Sequence, residues 1–186
     1  VLPILFAGCR ASTHVPMHQD VPAKIPSTDV IIGLNQAEIY AEIQQSRISQ
    51  GTGGGALFAL IDMAIDSSRS KTAETFIAPV RNAMNGYSFG AELQNSTQEG
   101  LGKIDWMHVR SVKQEQPFND ELSEKILQGS SSSAVLIMNP RYYLTPDLAT
   151  LKITMQVSVY PISPDLKALA SQLNPNVDNP LLYRNQ

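Results

Sequence analysis

Cysteine is almost absent from this chain, which has one cysteine in 186 residues. A single thiol excludes an internal disulfide framework and a zinc site built on several cysteines. Charged residues make up 17% of the sequence, the net charge is −3, and lysine and arginine form no cluster. The chain therefore lacks the positive patch expected of a nucleic-acid-binding protein. It also lacks an apolar run of about 18–20 residues, the length that a membrane-spanning helix needs.

The one cysteine stands directly after a short apolar run, in the stretch "PILFAGC". Small residues, Ala7 and Gly8, precede it, as at the end of a secretory signal. The stretch resembles a bacterial lipobox, with Phe6 where the lipobox prefers leucine. This resemblance implies that residues 1–8 are the remnant of a signal peptide and that Cys9 carries a lipid. The alternative is a buried N-terminal strand with an inert thiol.

The segment after the cysteine contains three prolines and no apolar periodicity. Such a composition predicts a flexible, extended linker, so we assign residues 9–29 to a lipidated cysteine and tether. Ala11 stands where an aspartate would retain an enteric-type lipoprotein at the inner membrane. The resemblance thus implies a lipid anchor in the outer membrane, facing the periplasm. Residues 30–186 are predicted to form one domain, truncated at its C-terminus.

A glycine-rich stretch, "GTGGGALFALIDMAID", follows two β-like segments. Its spacing is G-x-G-x-G, without a Walker lysine, which does not fit a nucleotide-binding loop. We interpret it as a hinge that leads into an amphipathic helix. The apolar face of this helix is predicted to contain Leu57, Leu60, Ile61, Ala64 and Ile65, with Asp62, Asp66 and Arg69 on the opposite face. A second helical segment is predicted at 72–85, with Pro79 kinking or dividing it.

The pentapeptide "GYSFG" at residues 86–90 matches the nucleophile-elbow pattern G-x-S-x-G. A hydrolase would use Ser88 as nucleophile, and His108 is the only histidine that follows it. The alternative, which we favour, is a helix stop at Gly86 and a new helix capped by Ser88.

Two other histidines, His14 and His18, have the spacing of ligands on one helical face. The surrounding prolines deny a helix, and no third ligand is fixed nearby, so we predict no metal site. His108 is predicted to be a half-buried or exposed strand residue. We assign no catalytic, metal-binding or cofactor-binding residue, and no cofactor.

The second half of the chain alternates helical and strand-like segments. Residues 151–160 alternate with period two, which predicts a strand with one wet face, paired antiparallel to residues 134–144. The remaining predicted elements are helices at 89–101, at 119–128 and from Ser163 to Leu173, and strands at 106–113, 134–139 and 181–183. The fold is predicted to be α+β: a small, mostly antiparallel sheet with helices packed on one face, preceded by a disordered tether.

This order of elements over residues 87–160, behind a lipobox and tether, resembles a domain of several envelope lipoproteins. They include the curli-secretion lipoprotein, the lipoprotein activators of penicillin-binding proteins and the N-terminal domain of the Tol-system periplasmic protein. The stretch "YYLTPDLATLKITMQVSVY" is also similar to uncharacterised proteobacterial lipoproteins. The resemblance transfers no functional residue, because shared architecture does not confer function.

We therefore expect a non-enzymatic outer-membrane lipoprotein that binds an envelope protein or associates with itself. No small-molecule substrate is inferred. Two alternatives are a subunit of an oligomeric secretion or transport complex and a serine hydrolase built on Ser88.

Overall fold

A computed structural model of the chain describes residues 14–47, 56–175 and 180–185. The described residues form a six-stranded sheet and four α-helices. The strands are β1 (Thr28–Gly33), β2 (Tyr40–Ala41), β3 (Val109–Glu115), β4 (Ala134–Leu144), β5 (Leu151–Pro161) and β6 (Tyr183–Asn185). The helices are α1 (Ala56–Ala83), α2 (Phe89–Leu101), α3 (Asp120–Gly129) and α4 (Pro164–Leu173).

The sheet is mixed, with the strand order β3-β1-β4-β5-β6 and β2 beside the far end of β4. β1 runs parallel to both β3 and β4, whereas β4–β5 and β5–β6 are antiparallel. The α+β class is confirmed, but the prediction of a mostly antiparallel sheet is wrong. The reason is that helices connect β1 to β3 and β3 to β4, and such crossovers return the chain to the same end of the sheet.

β1 is an interior strand, between β3 and β4, and its side chains are apolar toward both faces. Val30 belongs to one buried cluster with Leu136, and Ile31 to another with Ile137. Consecutive strand residues point to opposite faces, so the sheet separates two cores.

The helices accordingly cover both faces, and the prediction of helices on one face is corrected. Leu166 of α4 is buried in the cluster around Val30 and Leu136. Leu122 and Ile126 of α3 pack against the opposite cluster, around Ile31 and Ile137.

The predicted antiparallel pairing of β4 with β5 is confirmed, in a register that joins Ala134 to Pro161 and Leu144 to Leu151. This hairpin is longer than its neighbours, since β1 reaches only Met138 of β4 and β6 reaches only Val157 of β5. Leu151 and Ile153, which the period-two pattern groups with the inward-facing residues of β5, are therefore exposed.

Helix starts follow the expected capping chemistry. The Ser88 hydroxyl accepts a hydrogen bond from the Ala91 amide, the Asn119 carboxamide from the Leu122 amide, and the Ser163 hydroxyl from the Leu166 amide. Each cap satisfies an amide that has no partner within its helix.

α1 is a single helix that continues through Pro79, rather than being divided there. A second difference concerns the strand predicted at 106–113. It begins only at Val109, after a 3₁₀ turn at Asp105–Met107.

The segment that we predicted to be a linker through residue 29 is part of the fold from His14 onward. Val21 is fully buried and Ile25 is 2% exposed, both in the cluster around Val30. Val15 exchanges backbone hydrogen bonds with Arg184. The prediction missed this packing because one valine and one isoleucine among prolines show no periodicity, although they fill the core beside Leu182. The part of the linker before His14, the predicted signal remnant and Cys9 lie outside the described residues.

Candidate binding surface

A crevice of about 420 Å³ opens where the carboxyl ends of β1 and β3 meet the start of α2. Polar groups from three segments line it, including Gln36 after β1, Ser88 before α2, and Gln114 and Gln116 at the end of β3. The carboxyl ends of parallel strands are a common position for ligand sites in open sheets.

Each small residue of "GYSFG" has a structural role beside this crevice. Gly86 has φ +90°, the left-handed conformation that ends a helix. Ser88 caps α2, and Gly90 is buried against the Gln114 carboxamide, which a Cβ at position 90 would overlap. The predicted helix stop and cap at this motif are confirmed.

Among the described residues, no histidine lies beside Ser88. The crevice lining contains Gln114, near the carboxyl end of β3, whereas His108 precedes the amino end of the same strand. At about 3.3 Å per residue, the two ends lie roughly 20 Å apart. The hydrolase hypothesis needs Ser88 and His108 within hydrogen-bond distance, and the fold holds them apart.

Arg81, the cationic side chain that lines the crevice, is already paired. Its guanidinium contacts the carboxylates of Glu74 at 2.5 Å and Glu38 at 3.2 Å, and its Nε donates to the carbonyl of Ile39 at 2.8 Å. These bonds fix α1 against the loop between β1 and β2.

Gln36, in the loop between β1 and β2, hydrogen-bonds to β4 between the two stretches of β4 that pair with those strands. Its Nε2 donates to the Tyr142 carbonyl at 2.8 Å, and its Oε1 accepts from the Tyr142 amide at 3.1 Å. The side-chain amide thus replaces a backbone partner between β1 and β2. Burial raises the pKa of the Tyr142 phenol, whose ring lies 4.2 Å from that of Phe89, between centroids. Sequence reasoning missed both residues, because a lone glutamine or tyrosine carries no spacing signal.

The faces of α1 are reversed relative to the prediction. Leu57, Leu60 and Met63 are 67%, 61% and 68% exposed, whereas Asp62 is only 8% exposed. Ile61 is also exposed. We call Leu57, Leu60, Ile61 and Met63 the α1 apolar patch.

The charged side of α1 is held by the extended segment that follows β2. The Ser46 hydroxyl donates to the Asp62 carboxylate, and the Ser46 amide donates to the Asp66 carboxylate at 2.7 Å. Arg69 donates to the Gln44 carbonyl at 2.5 Å. Because these hydrogen bonds orient the charged face inward, the apolar face is turned to solvent.

The apolar patch is confined to the first part of the outward face. At 100° per residue, Ser67 and Lys71 lie on the same side of the helix as Leu60, about two and three turns further on. Both are exposed and polar. Farther along, Ile77 is fully buried against Ile39 and Tyr142, so the second half of α1 contacts the fold through this side chain, while Phe76 and Val80 are exposed.

The two N-terminal histidines contact separate partners. The His14 ring meets Tyr183 edge-on at 6.4 Å between centroids, and His18 Nδ1 lies 3.4 Å from an Asp20 carboxylate oxygen. Within the described ranges, no group of three or more His, Cys, Asp or Glu side chains is arranged to hold a metal ion. His108 is exposed, immediately before β3, and donates no side-chain hydrogen bond that links it to the crevice.

The chain was compared with family models, curated proteins and solved structures, and none of them matches it. The resemblance to envelope lipoproteins therefore rests on the sequence pattern alone. The glycine-rich stretch at 51–55 lies outside the described residues. Among the helices that the structure does describe, none combines the length and apolar character needed to span a membrane.

Proposed function

We propose that this protein is an envelope lipoprotein, anchored through Cys9 to the outer membrane and facing the periplasm, whose domain is a non-catalytic binding and assembly module. The observation that carries the binding role is the α1 apolar patch. A monomer gains by burying large apolar side chains, at about 1.5–3 kcal/mol for each one fully buried. α1 instead exposes Leu57, Leu60 and Met63 while Asp62 is buried. A partner that covers the patch explains this arrangement.

The alternative of an oligomeric secretion or transport subunit uses the same patch, with other copies as the partner. The hydrolase alternative has less support, because the residues of "GYSFG" are accounted for by a turn, a cap and close packing.

The anchor is tested by following labelled palmitate in a bacterial host that expresses the native gene. We expect label in the wild type and none in Cys9→Ser. Equal label in both, or none in either, would remove Cys9 from the proposal.

The binding surface is tested by placing a photo-crosslinking amino acid at Leu60 and, as a matched control, at Lys71. Both positions are exposed on the same side of α1, but only Leu60 belongs to the patch. We expect discrete cross-linked species in intact cells from position 60 and not from position 71. The same weak, diffuse pattern from both positions would contradict a binding role for the patch.

A further inference from the structure

The crevice between the carboxyl ends of β1 and β3 and the start of α2 is separate from the α1 apolar patch. Its volume of about 420 Å³ lies toward the small end of the range for ligand pockets. Arg81 is the residue of α1 that lines it, and at 1.5 Å per residue Arg81 lies roughly 30 Å along the helix from Leu60. A ligand in the crevice would therefore occupy a second site, independent of the patch.

Gln114 presents an unused hydrogen-bonding group to this crevice. Its half-buried carboxamide lies against the buried Gly90 at the start of α2, in space that any larger residue at position 90 would fill. Within the described part of the chain, this carboxamide has no hydrogen-bond partner. A carboxamide donates two hydrogen bonds and accepts two, so Gln114 has its full capacity left for a ligand.

Tyr87 adds an exposed aromatic ring to the same crevice. It lies between Gly86 and Ser88, in the turn that joins α1 to α2, and it is 55% exposed. The backbone is held on both sides, since the Tyr87 amide donates to the Met84 carbonyl at 2.9 Å and Ser88 caps α2. A residue whose backbone is already fixed loses less conformational freedom when a ligand packs on it.

The charges of the crevice are already matched to each other. Arg81 is the one cation among the described residues that line it, and Glu38 is the one carboxylate. The two lie 3.2 Å apart, and Glu74 also contacts the Arg81 guanidinium. Neither an anion nor a cation would find an unpaired opposite charge here, so the electrostatics favour an uncharged ligand.

The crevice also offers little to a large apolar group. Its main apolar residues, Leu34 and Ile39, and the Tyr142 ring beside them are buried, and they form its floor. The more accessible side chains of the lining are mostly polar, and they include Asn85, Ser88, Gln114 and Gln116. An uncharged ligand would therefore bind mainly through hydrogen bonds.

We propose that this crevice binds an uncharged carbohydrate, with Tyr87 packing against one face of a sugar ring and Gln114 hydrogen-bonding to its hydroxyl groups. A hydroxyl donates one bond and accepts up to two, and a carboxamide supplies both functions in one plane. The C–H groups on the face of a sugar ring are weakly positive, and the face of an aromatic ring is negative. The volume suits a mono- or disaccharide.

A peptide is the other uncharged ligand that both donates and accepts hydrogen bonds. Peptide recognition depends on pockets or charges that select the side chains of the peptide. This crevice provides neither, because its apolar residues are buried and its charges are paired. The lining therefore favours a sugar over a peptide.

Saturation-transfer NMR and calorimetry test the site on the full chain carrying Cys9→Ser. The neutral probes are cellobiose, maltose and diacetylchitobiose, and we expect saturable binding of at least one of them. Glucose 6-phosphate is the anionic probe and acetyl-trialanine amide is the peptide probe. Both should bind at least about ten-fold more weakly than the best neutral sugar.

Two substitutions test the assigned residues. Tyr87→Ala removes the ring, and Gln114→Leu keeps the approximate size of the side chain but neither donates nor accepts a hydrogen bond. Each should weaken binding of the best neutral sugar by about ten-fold or more. Phe76→Ala and Gln98→Ala are the matched controls, an exposed aromatic residue and an exposed glutamine outside the crevice, and they should bind like the parent.

No binding of any of the three neutral sugars would overturn the proposal, and so would binding that Tyr87→Ala leaves unchanged. Urea unfolding checks that each variant is folded, and the exposed Tyr87 decides the result alone if Gln114→Leu does not fold. Tighter binding of glucose 6-phosphate would mean that the crevice takes an anion, and tighter binding of the peptide probe would assign it to peptides. Either result overturns the carbohydrate class. None of these results depends on the lipid anchor or the α1 apolar patch, so the proposed function stands or fails separately.

Discussion

Asp29 links β1 to β3 and to the segment before β4. Its carboxylate accepts hydrogen bonds from the Ser111 hydroxyl at 2.8 Å and the Ser130 hydroxyl at 2.9 Å, and Arg110 lies 3.9 Å away. Burial by itself raises the pKa of this carboxyl, but the serine hydroxyls and the Arg110 charge outweigh burial and lower it. The charged form of Asp29 therefore stabilises the folded state.

We expect Asp29→Asn to lower the free energy of unfolding at neutral pH by about 1–3 kcal/mol, the range for hydrogen bonds to a charged group. Because the folded pKa is depressed, this contribution is present above the unfolded pKa of roughly 3.9 and is lost as the pH falls through the folded value. The gap between wild type and variant should thus narrow below about pH 4. Urea unfolding across this range measures it, with the exposed Glu124→Gln as control. A gap that widens on acidification would contradict the assignment.

Gln36 stabilises the sheet at Tyr142. Its carboxamide is the hydrogen-bond partner of both the amide and the carbonyl of Tyr142. In Gln36→Ala, an amide and a carbonyl beside the buried Tyr142 side chain lose their partner. We expect a loss of about 1–3 kcal/mol in the free energy of unfolding, measured in urea. Gln116→Ala is the control, since Gln116 is exposed and makes one bond, to the Gln36 carbonyl. Similar losses in both variants would show that the amide is not a substitute for a strand.

At the scale of elements, α1 shows that amphipathic spacing does not specify which face is buried. Its first turns have an apolar side and a charged side, and either can face the protein if the other is compensated. The Ser46 and Gln44 bonds satisfy the charged side locally. The apolar side is then left for a partner.

Two substitutions compare how much each half of α1 contributes to the stability of the fold. Leu60→Ser should change the free energy of unfolding by no more than about 0.5 kcal/mol, because Leu60 is exposed. Ile77→Ala should cost about 2–5 kcal/mol, because Ile77 is fully buried. Thermal or urea unfolding of the isolated protein measures both. A large loss in Leu60→Ser would mean that the patch is covered within the same molecule.

At the scale of the whole molecule, the segment before β1 closes the fold. Val21 and Ile25 fill one core, and Val15 pairs with Arg184 of the last strand. The N-terminal and C-terminal parts of the described chain are thereby joined across β6.

We expect a chain that starts at Ser27 to be less stable than one that starts at His14. Removing the buried Val21 and Ile25 side chains should lower the free energy of unfolding by about 3 kcal/mol or more. Urea unfolding of the two chains measures the difference, and Val21→Ala in the longer chain shows how much of it comes from one side chain. Equal stabilities would restore the prediction of a linker that extends through residue 29.

The elements that were predictable from the sequence are those whose signals are local. Capping residues such as Asn119 and Ser163 satisfy amides three positions away, so the starts of α3 and α4 were predictable. The alternation in β5 and its pairing with β4 were predictable for the same reason, since a short turn joins adjacent strands. The α+β class follows from this order of elements.

The positions of those elements, and the faces that they bury, depend on contacts that form only in the folded chain. The position of β1 between β3 and β4 depends on contacts between residues far apart in the sequence. The inward orientation of Asp62 depends on its hydrogen bond with Ser46. These are non-local contacts, and the spacing of residues along the chain carries no information about them. The candidate binding surface of this protein, the α1 apolar patch, arises from such contacts.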